Sequence, residues 1–246
     1  MGHLGMGMTT GTKPAWDDPW IKKGMTAQLR QRRQRLDAGE AAIGWKLGFG
    51  TPAAMARFKI AAPLVGHLMK AALVPSGGLV SLAGWRKPIA EPEIAVHIGQ
   101  DLGPGADRAA TKAAIAALGP AIELVDMDPP PDDVQQVVAG NIYQRHVVLG
   151  PRDRSRAGGK IDGLVCRVMR HGVEAARTSD PQANIGELIG LVTHVANVLD
   201  AFGERLRAGD VIITGSTTPP LTIEPDEDQI TFELDPVGVV SVRFTR

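Results

Sequence analysis

The sequence predicts an α+β chain, with a mostly-β core and a few flanking helices. Two observations carry that class. Short apolar runs, several with the two-residue alternation of strands, recur from residue 41 to the C-terminus, whereas only three stretches read as helices. The signals of a doubly wound βαβ protein are missing: no GxGxxG follows a strand, and there is no Walker loop.

The opening "MGHLGMGMTTGTKPA" lacks the basic start and long apolar stretch of a signal peptide, so residues 1–15 are expected to be a flexible leader. Asp17, Asp18 and Pro19 then mark a helix start. The helix runs through Met25, Leu29 and Leu36 to about Asp37, forming a small helical portion at 16–40. Its Arg30, Arg32, Arg33 and Arg35 read as a solvated face rather than a nucleic-acid patch, because acids elsewhere cancel the charge.

In "AAIGWKLGFG", residues 41–50, Ile43, Trp45 and Leu47 alternate with Gly44, Lys46 and Gly48. This is a strand with one apolar face and one face bare except for a lysine. "EPEIAVHIG" is the next clear strand. "GADRAATKAAIAALGP" reads as an alanine-rich helix that exits at Gly119 and Pro120, followed by "AIELVD", residues 121–126, as a strand. Further strands are expected at 147–150 and 163–170. The 183–203 segment predicts one long helix, capped by Asn184 with Glu187 three residues on. "LRAGDVIITGS" enters another strand, and "QITFELDPVGVVSVRF" a closing hairpin on Ile230, Phe232 and Leu234.

The 246 residues are 43% hydrophobic, enough for one sizeable core. The 27 basic and 27 acidic residues cancel, which argues against a dedicated nucleic-acid or membrane-surface protein. No apolar run approaches the roughly 20 residues of a membrane span. A single cysteine, Cys166, allows no intrachain disulfide, and a cytoplasmic setting fits.

The chemistry concentrates in acids placed inside apolar strands. Strand side chains alternate, so Glu91, Glu93, Ala95 and His97 share one face. Glu91 and Glu93 then lie roughly 7 Å apart along the strand, where like charges repel. Glu123 repeats the pattern between Ile122 and Leu124. Three carboxylates from two strands suit a hard divalent cation such as magnesium or manganese; the alternative is that each faces solvent on a half-exposed sheet. Lys46 is either a charge clamp beside such an ion or a surface lysine. His97 is either a hydrogen-bonding neighbour of the acids or a structural histidine. The "TGSTTPP" loop, with Gly215, Ser216 and Thr217, either holds a carboxylate or simply turns.

Taken in order, "GWKLGF", "EPEIAVHIGQDL", "AIELVD" and "LRAGDVIITGS" make the chain resemble the fumarylacetoacetate hydrolase superfamily, specifically its branch of 2-keto-4-pentenoate hydratases and 4-oxalocrotonate-type decarboxylases. The resemblance implies a mixed β-roll or barrel-like fold, a single catalytic domain over 16–246 and a homo-oligomer built from dimers. It also implies a Mg2+ or Mn2+ site at Glu91, Glu93 and Glu123, with Lys46 assisting proton transfer or neutralising an enolate. Asn141, Gly215, Ser216 and Thr217 are expected to contact a short 2-oxo acid. The implied reaction is hydration of a 2-oxo-alkenoate or 2-hydroxydienoate. Decarboxylation of a 2-oxo-enedioate is the alternative, and binding without turnover a further one. The chain departs from the family pattern in having Gly140 before Asn141, and Met69 and Lys70 where an acid is common.

Overall fold

The computed structural model describes residues 14–130 and 132–246. The leader expectation therefore falls almost entirely outside the described residues, although Ala15 already opens a short 3-10 turn. Helix α1 (Pro19–Asp37) starts where expected, with the Asp18 carboxylate accepting from the Trp20 and Ile21 amides. Of its arginines, Arg32 turns inward rather than into solvent. It stacks 4.6 Å from the Trp45 ring centroid and pairs with Glu204 at 3.0 Å. A planar guanidinium over an aromatic face, held by a carboxylate, is worth more packed than hydrated.

The chain continues through β1 (Ala42–Gly48), α2 (Pro52–Phe58), β2 (Leu64–Met69), β3 (Leu73–Val74), β4 (Gly78–Ser81) and β5 (Pro88–Ile98). Next come α3 (Arg108–Ala114), β6 (Ile115–Asp126), α4 (Val134–Ala139) and β7 (Gln144–Leu149). After β8 (Val165–Arg170) and β9 (Val173–Thr178), two helices follow, α5 (Gln182–Ile185) and α6 (Leu188–Ala201). Strands β10 (Val211–Ser216), β11 (Leu221–Thr222), β12 (Gln229–Asp235) and β13 (Gly238–Thr245) complete the fold.

These strands form two sheets, and the mostly-β α+β expectation holds. The larger runs β2-β1-β10-β5-β6-β7-β3, with β11 also on β5. The smaller runs β4-β13-β12-β8-β9. Both are mixed: β1–β10, β3–β7 and β4–β13 pair in parallel, and the remaining pairs are antiparallel. The closing hairpin is β12–β13, and its Ile230, Phe232 and Leu234 are fully buried. It packs on β5, β6 and β7, placing the main core between the sheets. The opposite face of the larger sheet carries a second, smaller apolar cluster of Leu68, Ala95, Ala121, Val147, Val211 and Ile213.

Two helix expectations are corrected. The alanine-rich helix stops at Ala114, and the rest of that segment is the first half of β6. Its small residues serve close strand packing, since a Cβ on Gly119 would lie 2.6 Å from the Pro151 carbonyl oxygen. Tertiary contact overrides helix propensity there. The 183–203 helix is broken at Gly186, at φ +94°. Glu187, not Asn184, caps α6, accepting from the Gly190 amide at 2.6 Å. Strand β2, buried at every position, has no alternation to reveal it.

The join between β1 and β10 leaves no room for a side chain at Gly44. Gly44, at φ +147°, would place a Cβ 1.9 Å from the Val211 carbonyl oxygen. Backbone on both sides leaves nothing to yield. Gly44→Ala is therefore expected to destabilise the fold by about 4 kcal/mol or more, read as a lower urea midpoint.

Candidate metal centre

The register of the larger sheet assembles the site. Glu91 pairs directly with Glu123 across β5 and β6, and Glu93 lies beside Ala121. Lys46 sits opposite Ile213, which in turn faces Ala95. Alternation therefore puts Lys46, Glu91, Glu93 and Glu123 on the face that carries the smaller apolar cluster. Each of the three carboxylates offers an oxygen, and these oxygens lie within 4.8 Å of one another. The solvent-facing alternative fails for Glu93 and Glu123, both 0% exposed.

Lys46 is likewise buried, at 1% exposure, and its ammonium lies 2.6 Å from Glu123 Oε1. It also donates to the Ile142 carbonyl at 3.1 Å. Glu93 Oε2 accepts from the Gly215 amide at 2.6 Å. Glu93 Oε1 and Glu123 Oε2 have no hydrogen-bond partner among the described residues.

Burial pushes all three carboxyls above the usual carboxylate range. Glu93 is raised well above it by burial, with the charges of Glu123 and Glu91 adding, against the pull of Lys46 and the Gly215 amide. Glu123 is raised to about 7 by burial, with Lys46 opposing and Glu91 adding to the rise.

The donor set fits a divalent cation. It is all oxygen, it is short of counter-charge, and it includes buried oxygens with no other partner. The oxygens lie close enough together for one ion to be held by all three carboxylates.

A cleft of about 80 Å3 opens on Glu91, lined also by Phe49, Thr51, Asn184, Gly215 and Ser216. That is room for about five waters or a short acid. Gly215 and Ser216 are thus brought to the site. Thr217 spends its hydroxyl on the Pro92 carbonyl at 3.0 Å. Asn141 does not line the cleft; its amide bonds the backbone of His67 in both directions.

His97 shares the acids' face but lies four residues from Glu93, about 13 Å along the strand. It sits beside Ala117 and Val211 rather than against the acids. Cys166 is buried, its thiol pushed up to about 11. Sequence reasoning missed Asn184, whose amide donates to the Ser216 carbonyl at 2.6 Å and so fixes the cleft wall. Its reading as a helix cap masked that role.

A mixed two-sheet fold that gathers three carboxylates and a lysine on one face defines a class of divalent-cation-binding proteins. The family model described as fumarylacetoacetate (FAA) hydrolase C-terminal matches residues 47–245, and the chain belongs to that family. Among its relatives is a 4-oxalocrotonate decarboxylase of Pseudomonas putida, 30% identical over 89% of this chain and 83% of that protein. A 2-hydroxyhexa-2,4-dienoate hydratase of Comamonas testosteroni is also 30% identical, over 88% and 83%. A solved structure of 4-oxalocrotonate decarboxylase from Pseudomonas putida G7, complexed with magnesium and adipate, superposes with a TM-score of 0.83 at 27% identity. It covers 92% of this chain and 86% of that one.

An unfolded glutamate titrates near 4.5, whereas folded Glu123 holds its proton to about 7. Between those values the folded chain binds more protons than the unfolded one, so stability is lost as pH rises. The melting temperature of metal-free protein is expected to fall from pH 5 to pH 8. Magnesium should raise it more at pH 8 than at pH 5, because the cation replaces the protons.

Glu93→Gln separates the two roles of the cluster. It removes a buried carboxyl that must either hold a proton or repel its two neighbours, while keeping an acceptor for the Gly215 amide. Metal-free Glu93→Gln should melt higher than wild type at pH 8, by about 3 °C for each kcal/mol that burying the carboxyl costs. Calorimetry should show weaker magnesium binding in the same variant.

Proposed function

We propose that the chain is a divalent-metal-dependent lyase acting on short 2-oxo acids, and in the first instance a hydratase that adds water to a 2-oxo-alkenoate or 2-hydroxydienoate. The observation that carries this reading is the buried Lys46 ammonium 2.6 Å from Glu123, within a group of three carboxylates that borders an open cleft. Glu91, Glu93 and Glu123 would hold Mg2+ or Mn2+. The ion, when bound, supplies Lewis acidity to a 2-oxo group and its carboxylate.

The chain's own residues supply the rest. The Gly215 amide fixes one oxygen of Glu93, so that the other is presented in a set direction. Lys46 carries three N–H donors, of which Glu123 and the Ile142 carbonyl engage two. The remaining one suits an oxygen that gains negative charge as the substrate enolises. A fixed cation stabilises that developing charge more than the ground state, so it acts mainly on rate. Gly215 and Ser216 border the space where the acid's carboxylate would lie. Thr217 acts one step back, by tying the loop to Pro92.

Decarboxylation of a 2-oxo-enedioate uses the same enolate and the same lysine. It is the second reading, favoured by the decarboxylases among the relatives and solved structures. Binding without turnover is the third. We place the chain in the cytoplasm, as one catalytic domain over residues 16–246 that assembles into a homo-oligomer built from dimers. Among the described residues, no helix is long and apolar enough to cross a membrane.

An ultraviolet assay of 2-hydroxydienoates and 2-oxo-enedioates with magnesium tests the function. Water addition without carbon dioxide release is the expected result. Carbon dioxide release selects the second reading, and magnesium-dependent binding without product the third. Lys46→Met should lower kcat by on the order of 100-fold at saturating magnesium; undiminished turnover would remove the lysine from the mechanism. Light scattering is expected to give a multiple of the 26.0 kDa chain mass.

A further inference from the structure

Lys46 is held by a stretch of backbone that its own residues disfavour. Asn141, Ile142 and Tyr143 all adopt left-handed conformations, at φ 55°, 53° and 61°. L-residues seldom enter that region, and a β-branched isoleucine least readily. Three in succession persist only where the surroundings over-determine them. A plain connection from α4 to β7 has no need of such a turn.

Two side chains and two glycines enforce it. The Asn141 amide donates to the His67 carbonyl at 2.9 Å, and its Oδ1 accepts from the His67 amide at 2.8 Å. Strand β2 is the edge of the larger sheet, so this side chain satisfies backbone groups as a neighbouring strand would. The Tyr143 hydroxyl donates to the Pro129 carbonyl at 2.8 Å. A Cβ on Gly66 would lie 2.8 Å from both Asn141 Oδ1 and Lys46 Cγ, and one on Gly48 would lie 2.8 Å from Ile142 Cγ2. The glycines let the turn, β2 and the lysine stem close on one another. The outcome is the Ile142 carbonyl aimed at the Lys46 ammonium.

We propose that Asn141 is a positioning residue for Lys46: by clamping the edge strand it locks the left-handed turn, and the turn's Ile142 carbonyl fixes the ammonium against Glu123. The inference rests on the reading in which Lys46 serves the reaction. It assigns Asn141 no contact with substrate, because its amide faces the backbone of His67 and it does not line the cleft.

A double-mutant cycle tests it, with magnesium saturating and the substrate found in the ultraviolet panel. Asn141→Ala is expected to lower kcat about 10- to 100-fold, the scale of a misplaced catalytic group, and to leave KM within about twofold. In the Lys46→Met background the same change should cost nothing further. Asn141→Gly takes φ 55° without strain yet lacks the amide, so it should lose as much and serves if Asn141→Ala fails to fold.

A second readout needs no substrate. In lysine-15N-labelled protein the Lys46 ammonium signal, identified by its disappearance in Lys46→Met, should be sharp in wild type and broadened in Asn141→Ala. Wild-type kcat in both Asn141 variants, an equal loss in both lysine backgrounds, a rise in KM alone or an unchanged ammonium signal would each overturn the proposal. Full turnover in Lys46→Met would instead overturn the catalytic reading, and the ammonium signal then decides the positioning by itself.

Discussion

Charge balance on a buried face governs this molecule. Three glutamates and one lysine converge where little water reaches, with Lys46, Glu93 and Glu123 each at most 1% exposed. If all four ionise, three negative charges meet one positive. The interior does not tolerate that excess, so the carboxyls either hold protons or share a cation. Lys46 offsets part of the excess by sitting on Glu123, and among the described residues it leaves Glu93 buried without an ion pair of its own. The face is thus fitted for a dication, which brings the missing charge and can use the oxygens that have no other partner.

The remaining structure serves to hold that face rigid. Strands β5 and β6 pair over nearly their whole length, which fixes Glu91 directly opposite Glu123. Behind them the closing hairpin seals the other side with Phe232 and Leu234. In front, the apolar cluster around Ala95, Ala121 and Ile213 borders the acids with small or branched side chains that offer no hydrogen bonds. Glycines then bring backbone where side chains would stand. Gly215 offers its amide to Glu93, and Gly66 leaves room for the lysine stem. Adding a methyl group at Gly66 would press on the same lysine that compensates Glu123.

What the sequence discloses of this arrangement follows from the period of its strands. Acids at alternate positions in an apolar run place Glu91 and Glu93 on one face without any knowledge of the fold, and Glu123 repeats the signal. Alternation assigns a face but does not say what covers it. Lys46 therefore reads, on spacing alone, as a surface residue until β2 and the 141–143 turn are seen to close over it. Strand β2 itself is hidden because it is buried throughout and shows no period. The start of β6 is hidden for another reason: alanine favours helices locally, while its small size is what the packed sheet needs. Asn184 shows how a correct local pattern can mislead, since its spacing to Glu187 is that of a capping box. Gly186 separates the two residues, and the freed asparagine holds the cleft wall instead.

Local rules fail most where the site is built. Buried acids, a buried lysine and consecutive left-handed residues are each unfavourable alone, and here they occupy adjoining positions. Such a concentration of conflicts at one face marks where stability has been given up for chemistry. The conflicts also depend on one another. The strained turn is tolerable because Asn141 finds an unpaired strand edge, the lysine is tolerable because the turn gives it a carbonyl and Glu123 gives it a charge, and the acids are tolerable because the lysine offsets one of them. Each compensation is incomplete, and the deficit collects at Glu91 and Glu93, the two acids next to the cleft wall. A bound cation would act at that last point, and the preceding links would set it beside a cation already fixed in place.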